Sequence, residues 1–214
     1  MRELTTDFPY LGDRDYIHGT SVVSAIIGEL AAPGAGPLLL QRVKFQKRSL
    51  GNGRLVFFPG DLPPEFQDAN CVFSARSGET RWRGAFLDQG LLVRERVRVA
   101  YAVEEFRVTD GRCRCRIAPA GLADLVRLLV EANKRFHQAW LAGEGQVREV
   151  RFGFLENWSP PAGAAAACAA TLEISNLIRQ KTPAGFRTIN RLSYGEEGAQ
   201  HDLTLCFDVS IDTP

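Results

Sequence analysis

The sequence predicts an α+β fold made of two similar halves, each with one long apolar helix and several antiparallel strands. Two stretches repeat apolar residues at the three-to-four spacing of a helix, and most of the remaining chain alternates apolar and polar residues with the period of two typical of strands. The helix-to-strand order recurs after roughly one hundred residues. We therefore expect one compact unit with a first half over 1–93 and a second half over 94–214.

The first helix is predicted to begin near residue 19 and to end at 33–34, where proline and glycine follow each other. Thr20 or Ser21 is expected to cap its start, because a hydroxyl oxygen can accept a hydrogen bond from the first free amides. Its apolar positions are Val22, Val23, Ile26, Ile27 and Leu30. A helix this apolar has to bury most of its circumference.

The second helix is predicted to begin after residues 119–121 and to end at Gly143. One apolar stripe runs along it, formed by Leu122, Leu125, Val126, Leu129, Phe136 and Trp140. Arg127, Lys134 and Arg135 are expected to remain in water on the other face. Strands curving round both helices would bury their apolar surfaces.

The strands follow from alternation and from the turn signals between them. In the first half they are predicted at about 38–48, 53–58 with 70–76, and 80–87, and a strand pair across about 94–117 leads to the second helix. In the second half they are predicted at about 147–158, 164–177, 186–194 and 202–211. The alanine-rich stretch within 163–170 is assigned to a strand that lies close to the central helix.

Composition narrows the functional classes. The 214 residues carry 26 basic and 25 acidic side chains, so a formal net charge of +1 gives no global attraction for nucleic acid. No apolar run approaches the roughly 18 residues of a membrane span, and the first residues lack the apolar core of a secretion signal. The five cysteines are scattered, which favours reduced thiols in the cytoplasm over a disulfide framework or a metal site. We expect neither a metal nor a cofactor.

The segment before the first helix carries the most suggestive chemistry. Asp13 and His18 lie five residues apart in a stretch that leads into the helix start. Histidine can give or take a proton near neutral pH, and a carboxylate beside it can fix its tautomer or activate water. The first amides of the helix would then be placed to polarise a carbonyl oxygen.

The order of elements resembles the hotdog fold, duplicated in a single chain. This resemblance implies a double hotdog, in which two central helices lie side by side under one continuous curved antiparallel sheet with a pocket between the halves. The ordinary alternative is an unrelated α+β domain with two helices on one sheet. A duplicated hotdog contains its own pseudo-dimer, so a monomer is expected, with a homodimer as the alternative.

The segment 12–18 also resembles a motif of the MaoC-like hydratases and dehydratases, a branch of the hotdog superfamily. Gly12, Asp13, Ile17 and His18 fall in register with that motif. The asparagine and proline positions of the family hold Asp15 and Tyr16 instead.

The resemblance implies that Asp13 and His18 form a catalytic pair and that Gly19 lies near oxyanion-binding amides. Thr20, Tyr16 and Asn133 complete the expected substrate-binding residues. The implied enzyme is a lyase that dehydrates 3-hydroxyacyl groups, or hydrates enoyl groups, on coenzyme A or an acyl carrier protein. Thioester hydrolysis and a non-catalytic hotdog-like binding or assembly module are the alternatives.

The second helix bears on the thioesterase alternative, because those relatives often place a carboxylate on a central helix. Asp124 and Glu131 are the candidates, although both are expected at the solvated edge of the helix. Asn133 lies close to the apolar stripe and can hydrogen-bond a ligand from within a pocket. His137 is expected to be a partly exposed helix histidine, and His201 to face solvent at a strand start.

One cluster of arginines stands out from the otherwise balanced charge. It comprises Arg94, Arg96, Arg98, Arg112, Arg114 and Arg116, at alternating positions of the strand pair predicted across 94–117. Such a spacing predicts one cationic sheet face. That face is either solvated and paired with nearby glutamates or a docking surface for the phosphates of coenzyme A or for an acidic acyl carrier protein.

Overall fold

The computed structural model describes residues 1–31, 36–161, 166–195 and 200–212. Its contacts divide the chain into two compact units, Met1–Ala100 and Tyr101–Pro214. No helix within the described ranges is both long enough and apolar enough to cross a membrane.

The first unit contains one helix and an antiparallel sheet. Helix α1 spans Gly19–Leu30. The strands are β1 (Arg2–Thr5), β2 (Tyr10–Leu11), β3 (Leu38–Phe45), β4 (Asn52–Pro59), β5 (Cys71–Ser77), β6 (Thr80–Leu91) and β7 (Arg96–Val97). Five of them pair in the order β1-β4-β6-β5-β3, with every described pairing antiparallel. The short strands β2 and β7 form a separate parallel pair.

Helix α1 buries the apolar positions that its sequence spacing predicts, from Val22 to Leu30. Its start differs from the prediction, because the residue at the cap position is His18 and no side chain caps the helix. The hydroxyl of Thr20 contacts the His18 ring instead, and the Ser21 amide donates to the His18 carbonyl oxygen at 2.9 Å. The predicted stop at residues 33–34 lies outside the described residues.

The strands of the first sheet approach each other closely where glycine allows it. A Cβ atom on Gly84 in β6 would lie 2.1 Å from the Val56 carbonyl oxygen and 2.3 Å from the Phe73 ring. Gly84 pairs with Phe57 on one side and Phe73 on the other. The two phenylalanine rings meet edge to face with centroids 5.3 Å apart, in the space that the missing side chain leaves.

The second unit also contains one helix, which is longer, and an antiparallel sheet whose strand order differs from that of the first. Helix α2 spans Leu122–Trp140. The strands are β8 (Val103–Thr109), β9 (Arg112–Ile117), β10 (Gln146–Trp158), β11 (Ala170–Thr182), β12 (Gly185–Gly195) and β13 (His201–Asp212). They pair in the order β10-β13-β12-β11-β9-β8, and the described pairings are antiparallel.

Helix α2 buries more of its surface than the single apolar stripe predicted from the sequence. Leu128, Val130 and Ala132 are buried together with four of the six predicted apolar positions, whereas Leu122 and Trp140 at the two ends of the helix are partly exposed. Lys134, predicted to remain in water, is also buried, with 8% of its surface exposed. The predicted exposure of Lys134 was therefore wrong. The prediction assumed that one face of the helix is exposed to solvent, but this helix is buried on several sides.

Two strand predictions require correction. The segment 94–117 was predicted to form one pair of strands, but it contains three strands in two different pairings. Strand β7 pairs with β2, and β8 and β9 form a hairpin. The arginines of 94–98 therefore do not share a sheet face with those of β9. Strand β11 begins at Ala170 rather than at 164, and residues 162–165 lie outside the described ranges.

Candidate functional site

The segment that connects β2 to α1 is held at both ends by hydrogen bonds. Gly12 has a left-handed backbone with φ of 63°, a conformation that glycine adopts without strain. The Nη1 atom of Arg96 donates to the carbonyl oxygens of Gly12 and Arg14 at 2.7 and 2.8 Å. At the other end the Ile17 amide donates to the Ser49 carbonyl oxygen at 2.7 Å. The segment therefore delivers His18 to the start of α1 from fixed anchor points.

His18 is buried, with only 5% of its surface exposed. Its Nδ1 atom lies 2.6 Å from the Oγ1 atom of Thr20, which is itself fully buried. The Ser24 hydroxyl donates to the Thr20 carbonyl oxygen at 2.8 Å and ties the same turn together. The contact with Thr20 fixes the orientation of the imidazole ring.

The first turn of α1 supplies hydrogen-bond donors beside this ring. The leading amides of an α-helix have no partner within the helix and carry the positive end of its dipole. No acidic residue lies in this first turn to neutralise them. The Ser21 hydroxyl is also buried there without a hydrogen-bond partner among the described residues. A buried imidazole and polarised N–H groups together suit proton transfer next to a carbonyl group.

The acidic residues of the segment have a different environment from His18. Asp13 and Asp15 are both exposed to solvent. Tyr16 is half-buried, and the guanidinium of Arg48 stacks over its ring at 4.7 Å. The catalytic role of Asp13 and the ligand contacts of Tyr16, Gly19 and Thr20 remain predictions.

Asn133 lies on the buried face of α2 within a network of polar side chains. The Asn190 side-chain amide donates to Asn133 Oδ1 at 2.8 Å, and the Asn176 amide donates to Asn190 Oδ1 at 2.8 Å. Asn133 Nδ2 is fully buried and has no hydrogen-bond partner among the described residues. It is therefore a donor that a ligand oxygen would satisfy.

His137, one helical turn after Asn133, belongs to the same network. Its Nδ1 atom lies 2.7 Å from the Asn133 carbonyl oxygen, which can only accept, so Nδ1 carries the proton. Nε2 is then the acceptor for the Thr188 hydroxyl at 2.6 Å and the Asn190 amide at 3.2 Å. Burial lowers the pKa of His137 to about 4, which keeps the ring neutral.

The expectation that His137 is partly exposed was wrong, because no part of its surface reaches solvent. The sequence reasoning also missed Thr188 and Asn190, its partners on β12. Both share the inward parity of Leu192 and Tyr194 on that strand. The sequence signal for them was a polar residue at a strand position whose neighbours on the same face are apolar. A polar side chain buried at such a position requires a hydrogen-bond partner.

The two candidate carboxylates of α2 interact with residues close to them in the sequence. Asp124 Oδ2 accepts a hydrogen bond from the Ala120 amide at 2.9 Å, which stabilises the start of the helix. Glu131 pairs with Arg135 one turn later at 3.3 Å. Both residues keep partial exposure, and their interactions are those of a helix edge.

No family model matches the sequence, and no curated protein matches it significantly. Solved structures are similar in fold. A putative thioesterase II from Thermobifida fusca YX is 9% identical with a TM-score of 0.56, covering 97% of this chain and 91% of that one. The dehydratase domain from the CurJ module of curacin polyketide synthase is 11% identical with a TM-score of 0.51, covering 94% and 87%.

A conserved protein of unknown function with a hot dog fold, from Alicyclobacillus acidocaldarius, is 9% identical with a TM-score of 0.50, covering 94% of this chain and 89% of that one. Likeness at this level of identity shows the fold alone. The chain has the hotdog fold, and the resemblance found in the sequence is confirmed at that level.

Proposed function

We propose that this protein is an acyl-thioester-processing enzyme of the double-hotdog type, and that His18 transfers the proton in a dehydration or hydration of the acyl chain. The observation that carries the proposal is the buried imidazole of His18 at the start of α1, with its Nδ1 atom fixed 2.6 Å from Thr20. The solved structures of similar fold include a dehydratase domain and a putative thioesterase, which supports a thioester substrate. The carrier is coenzyme A or an acyl carrier protein.

In the dehydration direction, His18 removes a proton from C2 of a 3-hydroxyacyl thioester. The electron pair of the C–H bond becomes the C2–C3 double bond, and the C3 hydroxyl leaves as water with the proton that His18 has taken from C2. The developing charge on the thioester oxygen is stabilised by the amides at the start of α1, in the region of Gly19 and Thr20. Asp13 assists the departing hydroxyl in this proposal, and hydration is the same sequence reversed.

The double hotdog is the finer part of the proposal. Each unit has one long helix and a set of antiparallel strands in the same order along the chain. A hotdog half is built from this combination, so the proposed duplication assigns one half to each unit.

The test measures turnover of enoyl and 3-hydroxyacyl thioesters by the purified protein and by His18→Ala and His18→Gln. We expect kcat to fall by about 10² to 10⁴, the usual contribution of a general acid–base residue, while KM changes little. His201→Gln is the matched control, since His201 lies at the start of β13 and stacks on Tyr194. Equal rates for wild type and folded His18 variants would remove His18 from the mechanism.

Asp13 is tested apart from His18, because it is exposed while His18 is buried. Asp13→Asn should lower kcat if the carboxylate assists the hydroxyl, and Asp15→Asn is its matched control on the same segment. If the kcat of Asp13→Asn equals that of Asp15→Asn, Asp13 has no catalytic role and His18 is left as the proposed catalytic residue.

Thioester hydrolysis is the second candidate, favoured by the buried Asn133 Nδ2 atom that has no partner among the described residues. A thioester carbonyl oxygen would satisfy that donor. The same panel of substrates separates the reactions, because hydrolysis releases a free thiol while dehydration changes the absorbance of the acyl chain. Release of thiol that depends on Asn133 and is indifferent to His18 would replace the first proposal with the second.

A further inference from the structure

We propose that Arg107, Arg112 and Arg114 form a binding site for phosphate groups on the outer face of the sheet in the second unit. The site lies on the hairpin of β8 and β9, and it is independent of the proposed function.

Strand β9 separates apolar and cationic side chains by parity. Cys113, Cys115 and Ile117 are buried, each with 4% or less of its surface exposed. Arg112, Arg114 and Arg116 alternate with them and are exposed on the opposite face. Side chains two residues apart on a strand lie about 7 Å from each other, so the neighbouring guanidinium groups of Arg112 and Arg114 can reach one polyanion.

The neighbouring strand adds a like charge directly across from this row. Arg107 of β8 is in register with Arg114 of β9. Like charges in a cross-strand pair are destabilising unless something neutralises them. The pair lies at the edge of the sheet, where β8 is the last strand in the order of the second unit. A bound anion between the two guanidinium groups would convert this repulsion into attraction.

Four acidic residues lie near these arginines, and two of them, Glu105 and Asp110, line the surface here without forming an ion pair among the described residues. Glu173 approaches Arg114 at 3.8 Å, but both side chains are more than half exposed, so the ion pair is weak. Glu104 stands opposite Arg116 in the register and offsets that arginine. Arg107 and Arg112 make no ion pair with another residue in the part of the chain that the structure describes.

The surface is concave at this point. Two adjoining clefts of about 740 and 590 Å³ share Arg107, Arg114 and Glu173 in their walls. The cross-strand neighbours of Arg112 are Thr109 on one side and Ser175 on the other. Guanidinium groups supply planar, paired donors to phosphate oxygens, and hydroxyl groups add further donors. This set of donors fits a phosphate or diphosphate better than a carboxylate, which has two oxygens only.

The ligand chemistry is a multiply charged phosphate, and two sources carry it. One is a free inorganic phosphate or pyrophosphate, and the other is the phosphorylated nucleotide part of coenzyme A. Inorganic pyrophosphate is the probe for the site itself. Coenzyme A and pantetheine, which share the thiol arm but differ in the nucleotide phosphates, are the probes for the source.

The test is calorimetric titration of the full chain with pyrophosphate at low and at physiological ionic strength. We expect saturable binding by the wild type and a Kd at least tenfold higher for Arg107→Gln/Arg114→Gln, since each charged hydrogen bond lost weakens binding by roughly tenfold. Arg148→Gln/Arg151→Gln is the matched control, because it removes the same charge from exposed arginines that pair with Asp212 and Asp208. The control should stay within twofold of wild type.

Glu173→Gln gives a second, opposite readout. Removal of this carboxylate should lower the Kd for pyrophosphate, because it is the acidic group that competes for Arg114. Absence of saturable binding by the wild type, or equal weakening in the two double variants, would overturn the site. Binding of coenzyme A that requires Arg107 and Arg114, with none of pantetheine, identifies the nucleotide as the source. Binding of pyrophosphate alone identifies free phosphate.

Discussion

His137 shows how one buried side chain can make the fold depend on pH. Both ring nitrogens are occupied, Nδ1 by the Asn133 carbonyl oxygen and Nε2 by the Thr188 hydroxyl. Protonation of Nε2 would remove its acceptor lone pair and place a charge where no surface reaches solvent. Burial therefore lowers the pKa of His137 from 6.5 to about 4.

The lowered pKa predicts a loss of stability in mild acid. Between pH 6.5 and about pH 4 the unfolded chain binds a proton at His137 that the folded chain does not, so the free energy of unfolding falls as pH falls through this window. From pH 7 to pH 5 the contribution is about 2 kcal/mol. Urea unfolding at the two pH values measures it.

His137→Gln removes this titration and should reduce the pH dependence by about that amount, even though the variant is less stable at both pH values. His201→Gln is the control, because His201 lies at the start of β13 and is not fully buried. An unchanged pH dependence in His137→Gln would show that His137 does not titrate differently in the two states.

At the scale of single residues, the sequence singles out candidate residues more readily than it predicts their surroundings. The spacing of Asp13 and His18 drew attention to the start of α1, and His18 is buried there beside Thr20. The burial of His137 could not be read from its own helix, because the partners that satisfy its ring, Thr188 and Asn190, lie some fifty residues later on β12. Hydrogen bonds of this range are set by the tertiary fold.

At the scale of elements, two glycines of the first unit have opposite predicted effects. Gly28 lies within α1, is exposed, and has open space where a Cβ atom would stand. Gly28→Ala should raise the free energy of unfolding by about 0.5 to 1 kcal/mol, because alanine favours the helix. Gly84→Ala should destabilise the protein by about 1 to 3 kcal/mol, since the new methyl group would overlap the Val56 carbonyl oxygen.

Thermal or urea unfolding of the two variants measures whether each substitution raises or lowers the free energy of unfolding. Gly143→Ala is the control, because no atom lies within 4 Å of its Cβ position and it lies in the short 3₁₀ helix Ala142–Glu144, outside α1, β4 and β6. Stabilisation by Gly84→Ala would show that β4 and β6 tolerate a wider separation than the structure has.

Helices and strands could be predicted where a regular pattern of apolar residues extends over many positions. Their assignment was ambiguous where the pattern covers only a few residues. Both helices and strands such as β13, with its regular alternation, follow from apolar spacing alone. Strand β7 has two residues and pairs in parallel with β2, so it has no period that sequence reasoning can detect. The start of β11 was misplaced because a run of small apolar residues is compatible with a strand or a turn.

At the scale of the whole molecule, the two units share an order of elements but differ at the starts of their helices. Helix α1 begins after the buried His18, whereas α2 begins after Gly121, with Ala118, Pro119 and Ala120 before it. The hotdog fold followed from this order of elements, because a recurring pattern of helix and strands requires no matching residues. Function does not follow from the order in the same way, since the side chains at the two helix starts are chemically different.

This difference predicts one active site for each chain if the proposed function holds. A nonhydrolysable enoyl or 3-hydroxyacyl thioester analogue should bind with a stoichiometry of one per chain, because, of the two α-helix starts that the structure describes, that of α1 has an imidazole next to polarised amides and that of α2 does not. Calorimetric titration, expressed per chain, makes the result independent of how many chains associate. His18→Gln should weaken or abolish this single event, while a variant of Pro119 should leave it intact. Two equivalent binding events per chain, with one surviving in His18→Gln, would mean that the helix start of the second unit binds the acyl group without an imidazole.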